Sequence, residues 1–491
     1  MLSALPVFLK KLFILSIFSI SLLGFEPRAL SYNFLYINPT TGAPIGWEPE
    51  TTIHYYVDPG SLGRLTNEQA RTLIRAAMDI WENASPYANT PRFVYEGLLP
   101  EDVDGTNYSS YVSDSKCYTS DLSLCASQAQ RDQKTVIIFD EDNSILNNEL
   151  CSLGAGCSAY GEASVFSGTS TAPINITASM LVLGRSQGLS DTKISSVMGT
   201  IVHELGHTLG LAHTSINEQA YIENLNGYQR YIPTMFFSFA PHNELSTEHA
   251  LATLNPDDIA GITTLYPTAS ASTMLGTIKG TILKSDGTPM RHVNIIARNS
   301  NDPLCEAYSF LSGLSCAFAA CNDHYIFTST GAGGFTISAL PSETYTIEVE
   351  EVANDNLGRT LAPGLLSDED LYGDAEFWNT DDEADELNTL SSTLSLAAGE
   401  TKENINIILN RSAIISDRIK YSPLSTFTAS PSTRCSISPP VDYAALIGIS
   451  ESNTSGTGHS DGTGGTTSTT AGSGGTNISH INTATSCSLI F

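Results

Sequence analysis

The sequence predicts a multi-domain protein: an α+β domain with long helices, an all-β sandwich behind it, and a disordered tail. Three observations predict this. Apolar residues keep helical spacing at 70–81 and again at 194–205, with short extended runs between them. Beyond an Ala/Ser/Thr-rich linker at 268–274 the spacing alternates instead, as strands require. Residues 450–485 are rich in Gly, Ser and Thr and read as flexible. A chain of 491 residues has room for about three such units.

Residues 1–31 look like a secretory signal. Lys10 and Lys11 form its charged segment, residues 12–23 its apolar stretch, and Ala29-Leu30-Ser31 a small-residue cleavage site before Tyr32. That run is short for a membrane span, and no other segment is long and apolar enough for one. The expected mature protein is exported and soluble, a secreted extracellular monomer, with association at a cell surface left open. The balance of 23 basic and 52 acidic residues, a net charge of −29, leaves no basic patch to neutralise phosphates. Nucleic acid and anionic membrane surfaces are thereby disfavoured as partners.

Nine cysteines fit an oxidising compartment. Cys117, Cys125, Cys151 and Cys157 allow two bridges whose connectivity stays open, Cys305, Cys316 and Cys321 cluster later, and Cys435 and Cys487 are isolated. Cys316, Cys321 and His324 lack a fourth ligand, which favours a disulfide over a second metal site.

The first domain is expected over 32–267. Residues 52–57 form an extended stretch that ends in the turn Asp58-Pro59-Gly60. Thr66 and Gln69 then make a capping box. Behind it Ala70, Leu73, Ile74, Ala77, Met78 and Trp81 lie on one face of a long helix. Residues 135–139 and 174–183 read as buried strands. Asp191 is the expected N-cap of a second helix, with Ile194, Val197, Met198, Ile201 and Leu205 as its buried stripe. A polar insertion follows at 216–231, then Ile232-Pro233-Thr234-Met235. A last helix starts at Asn255 as N-cap, with Pro256 in the first position and two carboxylates, Asp257 and Asp258, in the first turn.

The second helix carries the chemistry. Residues 203–213 read His-Glu-Leu-Gly-His-Thr-Leu-Gly-Leu-Ala-His. His203 and His207 are one turn apart, so their rings leave the same face. At roughly 100° per residue they stand opposite the apolar stripe, facing a cleft. Gly210 lets the chain leave the helix in a left-handed conformation and carry His213 back. Three imidazoles leave a fourth tetrahedral position for water, the mark of a catalytic zinc site. Glu204 is placed to take a proton from that water. The pentapeptide alone turns up by chance in roughly one chain in a hundred of this length, but Gly210 and His213 lower that below about one in a thousand. His54, His242 and His249 are expected to be ordinary surface or core histidines.

The second unit is expected over 275–412. Residues 277–283, the turn Ser285-Asp286-Gly287, and residues 293–297, 334–337 and 345–349 alternate as strands, and 401–409 supplies a last one. Residues 343–387 are strongly acidic, which most simply makes a solvated surface. They could hold calcium, although no twelve-residue loop pattern is present. Residues 413–491 complete the chain as a low-complexity tail.

With Met235 downstream of the zinc motif, the first domain resembles the metzincin metallopeptidases, and within them the matrixins. Three segments carry the likeness: 202–214, the Pro233-Thr234-Met235 segment as a Met-turn, and the helix at 256–266. The resemblance implies a mixed twisted sheet with long helices, one catalytic zinc on His203, His207 and His213, Glu204 as general base, and Met235 as a structural cushion beneath the imidazoles. Phe237 stands where astacins and serralysins typically have a tyrosine. No histidine lies between His54 and His203, so the second zinc of vertebrate matrixins is not expected, and no cysteine-switch motif is present. The second unit resembles carboxypeptidase regulatory-like modules through Gly276-Thr-Ile-Lys-Gly-Thr-Ile, Asp286-Gly-Thr-Pro289 and Leu340-Pro-Ser-Glu-Thr-Tyr-Thr-Ile347. Such modules are usually accessory. The expectation is a secreted zinc-dependent endopeptidase acting on proteins or peptides. The rival is a secreted or cell-surface binding protein whose zinc domain is vestigial or specialised.

Overall fold

The computed structural model describes residues 34–36, 43–111, 134–150, 158–166, 175–185, 193–214, 216–217, 231–236, 252–290, 293–312, 333–350, 376–380, 392–409 and 441–449. Residues 1–31, read above as a signal, Asp191, the four cysteines before the zinc motif, most of the polar insertion and of the acidic stretch, and residues 450–491 lie outside them. Cys305 is the one cysteine among the described residues, and it is buried.

The first domain is built on five strands: β1 (Thr52–Val57), β2 (Arg92–Leu98), β3 (Lys134–Asp140), β4 (Ala159–Phe166) and β5 (Asn175–Gly184). Their order in the sheet is β2-β1-β3-β5-β4. Neighbours run parallel except at the β4 edge, which pairs antiparallel with β5. The sheet is therefore mixed, as expected. β1, β3 and β5 fall on the runs legible in the sequence, whereas β2 and β4 are not so marked. In β2 only Phe93 is buried, and β4 mixes small, polar and apolar residues (Ala-Tyr-Gly-Glu-Ala-Ser-Val-Phe). Edge strands pack on fewer neighbours, so their hydrophobic signal is weaker.

Helix α1 (Asn67–Glu82) forms as its pattern demands. The Thr66–Gln69 capping box closes at its N-terminus, and all six residues of the predicted stripe are buried. Trp81 is fully enclosed and its Nε1–H donates to the Val202 carbonyl at 2.8 Å, which pins α1 to the next helix. Helix α2 (Ile194–Thr208) starts at Ile194, with Lys193 in the cap position and no side-chain cap bond. Its stripe is buried as predicted, but so is every residue from Val197 to Thr208. The histidines, expected on the face opposite the stripe and lining a cleft, are themselves buried.

The C-terminus of α2 is fully accounted for in hydrogen bonds. Gly210 takes φ +104, and its N–H bonds His207 O while Leu211 N–H bonds Gly206 O, at 2.9 and 3.0 Å. This double closure requires a left-handed residue, hence glycine. Trp47 Nε1–H donates to Thr208 O and the Tyr266 hydroxyl to Leu209 O. Tyr266 follows α3 (Pro256–Leu265), which begins at Asn255 and Pro256 as the sequence indicates.

After the short helix α4 (Ala271–Met274) come two further sheets. One contains β6 (Gly276–Lys284), β9 (Gly334–Leu340), β13 (Thr401–Lys402) and β14 (Ile407–Leu409). The other contains β7 (Asn294–Asn299), β8 (Ala307–Leu311), β10 (Thr344–Glu350), β11 (Glu376–Phe377) and β12 (Leu394–Ser395). Their apolar residues, among them Ile278, Phe335, Ile295, Tyr345 and Ile347, share one continuous buried cluster. β7 is buried along its whole length, which no half-solvated strand would be. Its second face meets the first domain: Ile296 packs with Ile216 and Ala307.

One element differs from the expected tail. Residues 443–446 form helix α5 (Tyr443–Leu446), whose Tyr443 and Ala444, with Ile447 after it, are buried in the core cluster. Gln69 Nε2 donates to Ile447 O at 2.9 Å. An apolar quartet inside a polar region is too short for periodicity to reveal.

Candidate metal centre

His203 and His207 leave α2 one turn apart, and the Gly210 reversal returns His213 to them. The three Nε2 atoms form a triangle with sides of 3.2, 3.1 and 3.1 Å. Two of the rings are held from behind through the other nitrogen. His203 Nδ1 lies 2.6 Å from Thr234 O and His207 Nδ1 2.8 Å from Leu211 O. A carbonyl only accepts, so each Nδ1 carries the proton and each Nε2 presents a lone pair. Burial lowers His203 to about 3 and His207 to about 4, which keeps both rings neutral.

Lone pairs about 3 Å apart repel unless a cation lies among them. Two nitrogens bound at about 2.0–2.1 Å to one tetrahedral zinc stand roughly 3.3 Å apart, close to the triangle observed. Neutral imidazoles with Nδ1 fixed by carbonyls are the donor set that zinc takes. The residues present therefore fit the metal, and the three histidines could hold one ion.

Glu204 is 1% exposed, and its Oε2 has no hydrogen-bond partner among the described residues. Desolvation raises its carboxyl to about 8, against the lowering by the Gly161 N–H. Gly161 lies on β4, where the strand crosses α2 so closely that a Cβ would sit 2.3 Å from Glu204 O. The carboxyl is thus aimed from the helix toward the sheet edge.

Met235 is buried, with its sulfur against Gly206, the residue before His207. A Cβ on Gly206 would lie 2.2 Å from its sulfur and 2.9 Å from the Trp81 ring, so any side chain there would displace the methionine. Residues 233–236 form a turn closed by Phe236 N–H to Pro233 O, and Thr214 N–H donates to Met235 O. Asp258 organises this turn. Its Oδ1 accepts from Met235 N–H, and its Oδ2 from Thr234 N–H and Asn255 N–H, at 2.8 to 3.0 Å.

The structure therefore brings His203, His207, His213, Glu204 and Met235 into one site. His54 is elsewhere, half-exposed on β1 and bonded to Glu96. His242 and His249 lie outside the described residues. Asp258 was visible in the sequence only as a helix-start carboxylate. Thr234 and Gly161 act through their backbone, for which a sequence carries no local signal, whereas Trp81 was legible as part of its helical stripe but not as a partner of Val202.

No curated relative matches the chain. Solved structures similar to it include the major pilin subunit BcpA of Bacillus cereus, at 12% identity over 28% of this chain and 31% of that one, with a TM-score of 0.15. Another is a leucine-rich repeat protein from Bacteroides thetaiotaomicron, at 12% identity over 29% and 14% of the two chains, with a TM-score of 0.14. The chain spans less than a third of either protein, and likenesses this slight carry no argument. The family model of the matrixins matches residues 46–231, the stretch that holds the five-stranded sheet and all three histidines, and supports a matrixin-like catalytic domain there.

Proposed function

We propose that the protein is a secreted zinc-dependent endopeptidase with Glu204 as its general base. The observation that carries this reading is the convergence of three imidazoles, two of them neutral and anchored to backbone carbonyls, beside a buried carboxyl. His203, His207 and His213 would hold the zinc, which when bound supplies Lewis-acid polarisation of a substrate carbonyl and acidifies water. Glu204 accepts the proton of the attacking water at Oε2. Water oxygen bonds the carbonyl carbon, the C–N bond breaks, and Glu204 passes the proton to the leaving amine. Met235 and Asp258 keep Thr234 O behind His203. Export by the segment at 1–31 and extracellular work on protein substrates belong to the same proposal.

The test is zinc content together with casein cleavage, for wild type and Glu204→Ala, with and without a chelator. One zinc per chain with chelator-sensitive cleavage that the variant lacks supports the peptidase. Near wild-type cleavage by Glu204→Ala would refute the mechanism. The enclosure of the histidines favours one other reading, a binding protein with a specialised zinc domain. Bound zinc with no cleavage of any protein substrate would select it.

A further inference from the structure

We infer that Arg298, a residue of the second unit, is a positioning residue for the metal centre, so that the β-rich unit is a working part of the catalytic one. The inference rests on the peptidase reading of the site and adds a component to it.

Arg298 stands on β7 and is fully buried. Its Nε–H pairs with Glu348 on β10, also fully buried. The far side of the guanidinium reaches the first domain, where Nη1–H donates to Asn217 Oδ1 at 2.7 Å, and it also donates to Pro303 O of its own unit at 3.0 Å. Asn217 is fully buried with φ +58, a left-handed conformation that asparagine tolerates better than most residues. Its Nδ2 donates to Tyr231 O at 2.7 Å and to Leu304 O at 3.0 Å.

These bonds fall at a decisive place. Residues 217 and 231 lie at the two ends of the polar insertion at 216–231, the one next to its first residue and the other its last, between His213 and the Met235 turn. Asn217 staples those ends together, and Arg298 holds the staple. On the ligand side Thr214 follows His213 directly, donates its N–H to Met235 O, and shares a hydroxyl contact with Ser309 of β8 at 2.9 Å. On the other side Tyr231 leads into Thr234, whose carbonyl anchors His203. Ser309 N–H also donates to Asp257 on α3 at 2.9 Å. An insertion of this length would otherwise leave the His213–Thr214 segment and the turn to find each other across a costly loop closure. The guanidinium supplies a flat fork for two acceptors and a carboxylate, which lysine would not reproduce.

The experiment uses the full-length zinc-loaded protein and three variants: Asn217→Ala, Arg298→Met with Glu348→Met, and all three changes together. The paired change removes both charges, because Arg298→Met alone would strand a buried carboxylate. Zinc release to a chelating dye, kcat, KM and thermal unfolding are measured for each. Asn217→Ala and the paired variant should each release zinc about tenfold faster and lose kcat with KM within about twofold. The triple variant should be no worse than Asn217→Ala, since both changes cut one chain of contacts. Asn217→Ala with wild-type zinc release and kcat overturns the inference, as does full additivity in the triple variant. Wild type that takes up no zinc fails differently: it removes the metal reading on which the inference stands.

Discussion

Gly206 and Met235 meet where no side chain could stand between them, since a Cβ on the glycine would lie 2.2 Å from Met235 Sδ and 2.9 Å from the Trp81 ring. Gly206→Ala should therefore push the turn away from the helix. The expected cost is about 1–3 kcal/mol of stability, from overpacking, with weaker zinc retention because Thr234 O moves with Met235. Thermal unfolding and metal content after dialysis check both. A variant with unchanged zinc would mean that the turn does not support His203.

Glu204 and His207 should separate on substitution. Glu204→Gln keeps the shape of the side chain and all three ligands, so zinc should stay while turnover falls by about 10²–10⁴-fold. His207→Ala removes one corner of the Nε2 triangle and should lose the metal itself. Zinc stoichiometry and peptide cleavage on the same preparations distinguish the two. Equal zinc loss in both variants would assign Glu204 to metal retention instead of proton transfer.

Asp258 makes the pH dependence specific. Burial raises its carboxyl to about 6, while the N–H groups of Met235, Asn255 and Thr234 pull it down. A folded value above the unfolded one means that the native state binds the extra proton. Its contribution is then full below about pH 4 and fades as pH rises through 6. The total loss over that window should amount to about 3 kcal/mol at most. Urea midpoints from pH 4 to 7 should decline in wild type relative to Asp258→Asn, which cannot ionise. A wild type that gains stability over that window relative to the variant has the opposite sign and rules this out.

A chain ending at residue 440 should be less stable by about 2–4 kcal/mol. It lacks Tyr443, Ala444 and Ile447, which are buried against the first domain, and the bond from Gln69 to Ile447 O. Unfolding of the shortened and full-length proteins measures the difference. Identical midpoints would show that the docked helix adds nothing.

Much of the site was legible because its signals are local. The spacing of His203, His207 and His213, the glycine at the helix end and the Asn255-Pro256 helix start each act within a few residues. The Trp81 stripe and the β1, β3 and β5 runs were legible for the same reason: a buried face imposes its period on consecutive residues. β2 and β4 escaped because an edge strand is packed on fewer neighbours, so its residues need not alternate.

The sequence by itself determined which atoms could bind zinc and which carboxyl could move a proton, since those depend on residue type and near spacing. Only the tertiary structure decided how the site is held. Asp258 under the Met235 turn, Gly161 across Glu204, helix α5 behind the fold, and Arg298 reaching from β7 to Asn217 all join residues far apart in the chain. Such contacts are set by how sheets and helices stack, and no period within one segment encodes them.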